Sequence, residues 1–218
     1  MDAKAVVKLG ELSRGGKSRV PTKALDHDYP DAEHVTPVGI LLPQHDELYF
    51  YMVTSKVTAD CLVDCLEDFW QSQKSRFPLV TSLVLNLDNG PECNSRRSQF
   101  MARMVALTER TGLAVQLAYY PPYHSKYNPV ERGWGVLENH WNGSLLDSVD
   151  AVVGFASSMT WKGAHPAVQC VTTVYESGVK LAKDAMKAVE DRLSRLPDLG
   201  KWFVKIRPIA ALEGVCTD

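Results

Sequence analysis

Several features that identify whole classes of protein are missing from this sequence. The five cysteines contain no Cys-x-x-Cys pair and are odd in number, so neither a disulfide framework nor a zinc ribbon is indicated. No apolar run is long enough to cross a membrane, and no charged-then-apolar leader opens the chain. We therefore expect a soluble, cytoplasmic protein without a membrane partner.

An excess of one charge sign is also missing, since the 218 residues carry a net charge of −2. A freestanding DNA-binding domain is usually basic, so the charge balance alone does not indicate a nucleic-acid partner. The composition, 45% hydrophobic and 23% charged, excludes a disordered chain. The length predicts one sizeable domain with an appendage.

Two short motifs match known sites only in part. Gly15-Gly16-Lys17-Ser18 matches the end of a phosphate-binding loop, but the first glycine of that motif and the buried strand before it are absent. No nucleotide cofactor is therefore predicted. Asp26-His27-Asp28 and His34 stand among prolines without helical or strand spacing, so we interpret them as a polar surface loop.

The spacing of apolar residues predicts a mixed sheet with helices on its faces. In order, the chain shows three strands, a helix, a strand, a helix, a strand and a helix. The strands are expected over 1–10, 39–42, 48–53, 80–87 and 113–118, and the helices over 58–73, 95–111, 128–142 and 149–159. The arginines of the second helix are interpreted as a solvated face, with DNA contact as the alternative.

Two acidic residues lie at the ends of predicted structural elements, where the backbone holds them in place. Asn128-Pro129 is a helix start, and Glu131 falls on the first turn of that helix. Asp88 follows a buried strand and opens a turn with Gly90. Each also has a simpler interpretation, Glu131 as part of a capping box and Asp88 as the cap of its turn.

Two blocks of sequence together resemble one family. Leu-Asn-Leu-Asp-Asn-Gly-Pro-Glu at 85–92 and Tyr-Pro-Pro-Tyr-His-Ser-Lys-Tyr-Asn-Pro-Val-Glu at 120–131 are similar to the core of bacterial insertion-sequence transposases of the DDE type. These are relatives of mariner-like transposases and retroviral integrases. The resemblance implies an α/β, RNase H-like fold with a mixed five-stranded sheet flanked by helices.

The resemblance also implies three acidic metal ligands. Asp2 matches the first catalytic Asp of the family, Asp88 the second, and Glu131 the Glu. Together they are expected to hold two Mg²⁺ ions, with Mn²⁺ as an alternative. Without the resemblance, Asp2 reads as an exposed acid at a frayed terminus. His124, Lys126, Tyr127 and Arg132 adjoin Glu131 and are expected to contact DNA.

The activity that the resemblance implies is metal-dependent cleavage of DNA strands and transfer of the 3′ ends during transposition. The expected partners are transposon ends and target DNA, and the expected location is the nucleoid. Two alternatives stay open. One is an RNase H-like nuclease, which cuts without joining; the other is an inactive remnant that only binds DNA or a partner.

The resemblance divides the chain at residue 145. Residues 1–145 are expected to form the catalytic domain, with an incomplete first strand, so the chain is expected to be truncated at its N-terminus. Residues 146–218 are expected to form a mainly helical extension packed on that domain. The apolar positions from Val179 to Leu196 predict a helix there, with a homodimer contact as the alternative to intramolecular packing.

Overall fold

The computed structural model describes residues 1–14, 16–18, 23–24, 33–121 and 127–209. The strands are β1 (Asp2–Ala3), β2 (Val7–Lys8), β3 (His34–Leu42), β4 (Glu47–Val53), β5 (Ser82–Leu87), β6 (Ala114–Tyr119), β7 (Ala167–Val171), β8 (Leu193–Arg195) and β9 (Phe203–Ile206). The helices are α1 (Ala59–Gln73), α2 (Ser98–Thr111), α3 (Pro129–Trp141), α4 (Val149–Ser158) and α5 (Lys183–Glu190). The protein is thus mixed α/β, as predicted.

The chain folds into two compact units, each made from two separate stretches. The first unit comprises residues 1–56 and 129–174, and the second comprises residues 57–128 and 175–218. The division at residue 145 into a catalytic domain and an extension stays a prediction. No helix in the described ranges is long and apolar enough to cross a bilayer.

The sheet of the first unit is centred on β3. Strands β1, β2 and β4 pair antiparallel with β3, and β7 pairs parallel with β4. The single first strand expected over 1–10 is instead two short strands, β1 and β2. They separate opposite Pro37, which has no N–H to donate to a ladder. In this register, Asp2 lies opposite Gly39.

Helices α3 and α4 bury their apolar sides in the core of the first unit. The buried positions of α3 recur at helical spacing, and they are Val130, Gly133, Trp134, Leu137 and Trp141. The helix was expected over 128–142 and ends at Trp141, and Gly143 follows with a φ of +75°. Leu146 is therefore the residue that enters the core.

The sheet of the second unit has the order β5-β6-β9-β8. Strands β5 and β6 are parallel, and β9 is antiparallel to both β6 and β8. Helices α1 and α2 pack together and carry ion pairs between them. Arg103 pairs with Asp60 and Asp64, and Arg110 binds Glu67 through two hydrogen bonds. These two arginines of α2 therefore face α1 acids rather than solvent alone.

Two predictions about the sheets and the C-terminal segment need correction. The five predicted strands exist, but they are hydrogen-bonded in two sheets, and three later strands enlarge those sheets. The described part of 146–218 is not mainly helical, because α4 and α5 alternate with β7, β8 and β9. The helix expected from 179 to 196 spans only Lys183–Glu190, and none of its residues is buried.

Candidate active site

Asp2 is a buried carboxylate on β1, only 8% exposed. The indole Nε1 of Trp134, on α3, donates a hydrogen bond of 3.0 Å to its Oδ2. Asp2 is therefore not a frayed terminal residue. Its side chain is fixed by a residue that lies 132 positions away in the sequence.

Trp134 reaches Asp2 because Gly39 leaves space above the sheet. A Cβ atom on Gly39 would lie 2.7 Å from two carbons of the Trp134 ring and 2.9 Å from Val130 Cγ1. The ring also stacks on Phe50, with centroids 4.8 Å apart and an interplanar angle of 17°. A side chain at position 39 would therefore push the indole, and with it the hydrogen-bond donor, away from the strand.

A second contact joins the same strand segment to the same helix. Lys4 Nζ forms an ion pair with Glu138, which also accepts a hydrogen bond of 2.7 Å from Trp141 Nε1. Burial alone raises the pKa of Glu138, but the bonds from Lys4 and Trp141 outweigh it and hold that pKa below its usual value. Asp2 lies on β1 and Lys4 directly follows that strand, while Trp134 and Glu138 are four residues apart on α3. The helical spacing places Trp134 and Glu138 on the same face of α3, where both can reach this segment.

Glu131 lies on the first turn of α3 and is exposed. Among the described residues it has no hydrogen bond or ion pair, whereas Asp2 is held by Trp134. Glu131 precedes Trp134 by three residues, which places the two on neighbouring positions of the helix surface. The anchored indole therefore fixes the helix turn that carries Glu131.

Asp88 is the first residue after β5 and is exposed. Its Oδ1 accepts a hydrogen bond of 3.0 Å from the Gly90 amide and one of 3.4 Å from Cys93 Sγ. Asp88 therefore does cap its turn, as the simpler interpretation expects. Its Oδ2 has no hydrogen bond within the described ranges, so this oxygen remains available to another ligand.

A hydrogen bond holds the turn after Asp88 against the sheet. Tyr119, the last residue of β6, donates a hydrogen bond of 2.7 Å from its hydroxyl to the carbonyl oxygen of Cys93. Burial raises the pKa of Tyr119 well above its usual value, so the hydroxyl keeps the proton that it donates. Asn89 adopts a left-handed conformation with a φ of +64°, which asparagine tolerates well.

A family model described as the Rhodopirellula transposase DDE domain matches residues 1–208. The chain belongs to this transposase family. The matched range includes Asp2, Asp88 and Glu131. No curated protein sequence matches significantly.

The transposase domain is also similar to a solved structure, described as "Mos1 transposase paired-end complex with left transposon end". The TM-score is 0.51 and the sequence identity 13%, over 69% of this chain and 44% of the Mos1 chain. The likeness therefore shows the fold, and it confirms the predicted RNase H-like class. The transposase domain spans less than half the length of the matched Mos1 chain.

The predicted metal ligands of the transposase domain lie in both units. Asp2 and Glu131 belong to the first unit, and Asp88 belongs to the second. In the part of the chain that is described, no three or more His, Cys, Asp or Glu side chains cluster as ligands of one ion. The donor chemistry fits Mg²⁺, which prefers carboxylate oxygens. The shared site of the three acids stays a prediction.

Two of the residues expected to contact DNA, Tyr127 and Arg132, lie at the start of α3. Tyr127, 61% exposed, precedes α3, and Arg132 is exposed on its first turn without an ion pair to any described residue. His124 and Lys126 lie outside the described residues, as do Asp26-His27-Asp28. His34 starts β3 and pairs with Lys8 in the ladder. The contacts of all these residues with DNA stay predictions.

Four residues of the transposase domain that support the candidate acids were not predicted from the sequence. No local pattern in the sequence indicates a functional role for Trp134, Cys93 or Tyr119. The hydrogen bonds from Trp134 to Asp2 and from Tyr119 to Cys93 join distant parts of the sequence. The one local signal was Gly39 at the start of an apolar strand, since glycine in a strand often marks a close approach by another group.

Proposed function

We propose that this transposase domain cleaves DNA strands at the ends of a mobile element and joins the 3′ ends to target DNA. Asp2, Asp88 and Glu131 are proposed as the ligands of two Mg²⁺ ions. The observation that carries the proposal is the family match over residues 1–208, which includes an acid on the first strand, one directly after β5 and one on the first turn of α3.

The supports around each acid agree with this role. Asp2 is oriented by Trp134, and Asp88 uses Oδ1 for its own turn and keeps Oδ2 for a ligand. Glu131 is exposed on an anchored helix. Mg²⁺ ions held by these carboxylates would supply activation of the attacking oxygen and stabilisation of the leaving oxygen. The carboxylates supply the negative charge that holds such cations together.

DNA is the proposed substrate because the matched Mos1 structure contains a transposon end. We propose Tyr127 and Arg132 as contacts to the DNA backbone, together with His124 and Lys126. The first turn of α3 adds backbone amides that favour phosphate. Because the matched Mos1 structure is a paired-end complex, the proposal includes two copies of this chain acting together on two element ends.

The test is strand cleavage and joining by the full chain on duplex DNA that carries terminal inverted repeats, with Mg²⁺. Asp88→Asn keeps the oxygen that accepts from Gly90 but removes the charge. We expect cleavage to fall by more than about 100-fold, beyond the usual effect of residues that only support a metal ligand. Glu176→Gln removes an exposed charge of the same unit and should leave cleavage unchanged.

The outcomes separate the proposal from its alternatives. Cleavage that survives in Asp88→Asn contradicts the assignment of Asp88. A wild-type chain that cuts without joining is a nuclease, and one that binds DNA without cutting is an inactive remnant. Circular dichroism of each variant verifies that the fold is intact.

A further inference from the structure

A cavity of about 450 Å³ opens at the start of α2 in the second unit. None of the three acids lines it, so it is separate from the candidate active site. Its walls come from the residues before and at the start of α2, from the end of α5, and from the segment between β8 and β9. The lining residues that matter here are Ser95, Arg96, Ser98, Glu190, Arg195 and Lys201.

The cavity carries an excess of positive charge. Arg195 pairs with Glu190 at 2.7 Å and donates to the carbonyl oxygens of Ser95 and Gly200, so its charge is balanced and its position fixed. Arg96 and Lys201 make no ion pair with any described residue. Lys201 Nζ lies 4.7 Å from the centroid of the Trp202 ring. Two cations without an ion pair to any described residue therefore line the cavity.

Ser95 provides a second, independent indication of a ligand. It is only 1% exposed and lines the cavity. Its carbonyl oxygen is used by Arg195, but its hydroxyl has no hydrogen-bond partner within the described ranges. Because Ser95 lines the cavity, this hydroxyl can donate a hydrogen bond to a group bound there.

The start of α2 favours the same kind of ligand. Arg97 occupies the N-cap position without a side-chain hydrogen bond to the helix, and the first turn contains no acid. The orphan amides of a helix start attract anions. An anion in the cavity would meet these amides, the Ser95 hydroxyl and two cations together.

We propose that this cavity binds a phosphate group of DNA. The choice of DNA as the source of the phosphate rests on the proposed function. It also agrees with the Arg96 and Lys201 side chains in the lining, because arginine and lysine are common contacts of DNA phosphates.

The first arm measures duplex DNA binding by the full chain, in EDTA to prevent cleavage, as a function of NaCl concentration. A protein that neutralises one phosphate contributes about 0.9 to the slope of log K against log salt. Arg96→Gln with Lys201→Gln should lower that slope by about 0.9 and weaken binding about tenfold near 0.1 M salt. Lys74→Gln with Lys180→Gln removes the same charge elsewhere in the unit and should change neither value.

The second arm tests the hydroxyl and the source of the phosphate. Ser95→Ala should weaken DNA binding several-fold without changing the salt slope, since the hydroxyl is neutral, while Ser177→Ala should have no effect. Inorganic phosphate should shift the amide resonance of Ser98 in NMR spectra, and duplex DNA should compete with it.

Three results would overturn the inference: equal slopes for the cavity and control double variants, unchanged binding by Ser95→Ala, or phosphate binding at Ser98 that DNA does not displace. The readouts also separate this inference from the proposed function. A chain that binds DNA through the cavity but never cleaves contradicts only the latter. A chain that cleaves with an unchanged slope contradicts only the former.

Discussion

The hydrogen bond between Trp134 and Asp2 is the contact whose removal tests the site most directly. Trp134→Phe keeps an aromatic ring above Gly39 but removes the Nε1 donor that lies 3.0 Å from Asp2 Oδ2. Asp2 is 8% exposed and Trp134 4% exposed, so water replaces the lost donor poorly. A buried carboxylate that loses a partner destabilises the fold by about 1–3 kcal/mol.

The expected effect is measurable by thermal unfolding. For a chain of this length, 1 kcal/mol shifts the melting temperature by about 2–4 °C, so a loss of about 2 kcal/mol lowers it by roughly 4–8 °C. Trp161→Phe is the matched control in the same core. Trp161 is 8% exposed and its buried Nε1 has no hydrogen-bond partner among the described residues, so this change removes ring volume without removing a bond.

A double-mutant cycle separates the hydrogen bond from packing. Asp2→Asn removes the charge that Trp134 stabilises, so it should be less harmful in the Trp134→Phe background than in the wild type. We expect a coupling energy of about 1–2 kcal/mol between the two positions. Effects that add to within about 0.5 kcal/mol, or a Trp161→Phe variant as unstable as Trp134→Phe, would refute the reasoning.

Two further predictions concern the same strand and helix. Gly39→Ala places a Cβ 2.7 Å from the Trp134 ring and should lower the free energy of unfolding by about 1–3 kcal/mol in a urea titration, whereas Gly154→Ala, in a helix with open space around it, should be neutral or stabilising. Equal effects of the two changes would contradict the close approach. Lys4→Gln should lower stability by less than about 1 kcal/mol at neutral pH, because Glu138 is half-exposed. The folded state holds the pKa of Glu138 below its usual value of 4.5, so the ion pair stabilises the protein above pH 4.5. This stabilisation should vanish as the pH falls through the lowered pKa. A stability difference between Lys4→Gln and the wild type that persists below the lowered pKa would exclude the ion pair as its cause.

The elements that the sequence predicted well are those whose signals are local. Helix α1 was expected from 58 to 73 and spans Ala59–Gln73, because Thr58 accepts a hydrogen bond from the Cys61 amide and an apolar stripe follows at helical spacing. Helix α2 ends as expected at Gly112, which adopts a φ of +71°. Caps, glycines and periodic apolar positions act within a few residues of one another.

The C-terminal region shows where local signals fail. Strand β9 has four residues, and its pairing with β6 joins Val115 to Ile206. Nothing near Ile206 in the sequence indicates a partner that lies so far back along the chain. Helix α5 is only eight residues long and buries none of them, so the apolar positions from 179 to 196 mimic a helical stripe that the fold does not use. The apolar spacing exists in the sequence, but the pairing of β8 with β9 ends the helix before Leu193.

The candidate site also combines residues that local motifs predict with residues that they do not. The local motifs predicted that Asp88 follows a strand and that Glu131 lies at a helix start. They could do so because turns and helix caps depend on residues that are adjacent in the sequence. The groups that orient the acids were not predictable. The bond from Trp134 to Asp2 requires an empty position at Gly39, and that requirement becomes visible only when the helix and the sheet are packed together.

Two contacts between the N-terminal segment and α3 connect the structure to the proposed chemistry. Asp2 with Trp134 and Lys4 with Glu138 are two contacts between the N-terminal segment and α3, so a shift of either element would disturb both. Because Glu131 is on the same helix, three residues before Trp134, these contacts also hold the helix turn that carries it. The segment that carries Asp2 and the helix that carries Glu131 are therefore joined by both contacts. Loosening either contact should disturb the pair as a whole rather than one acid alone.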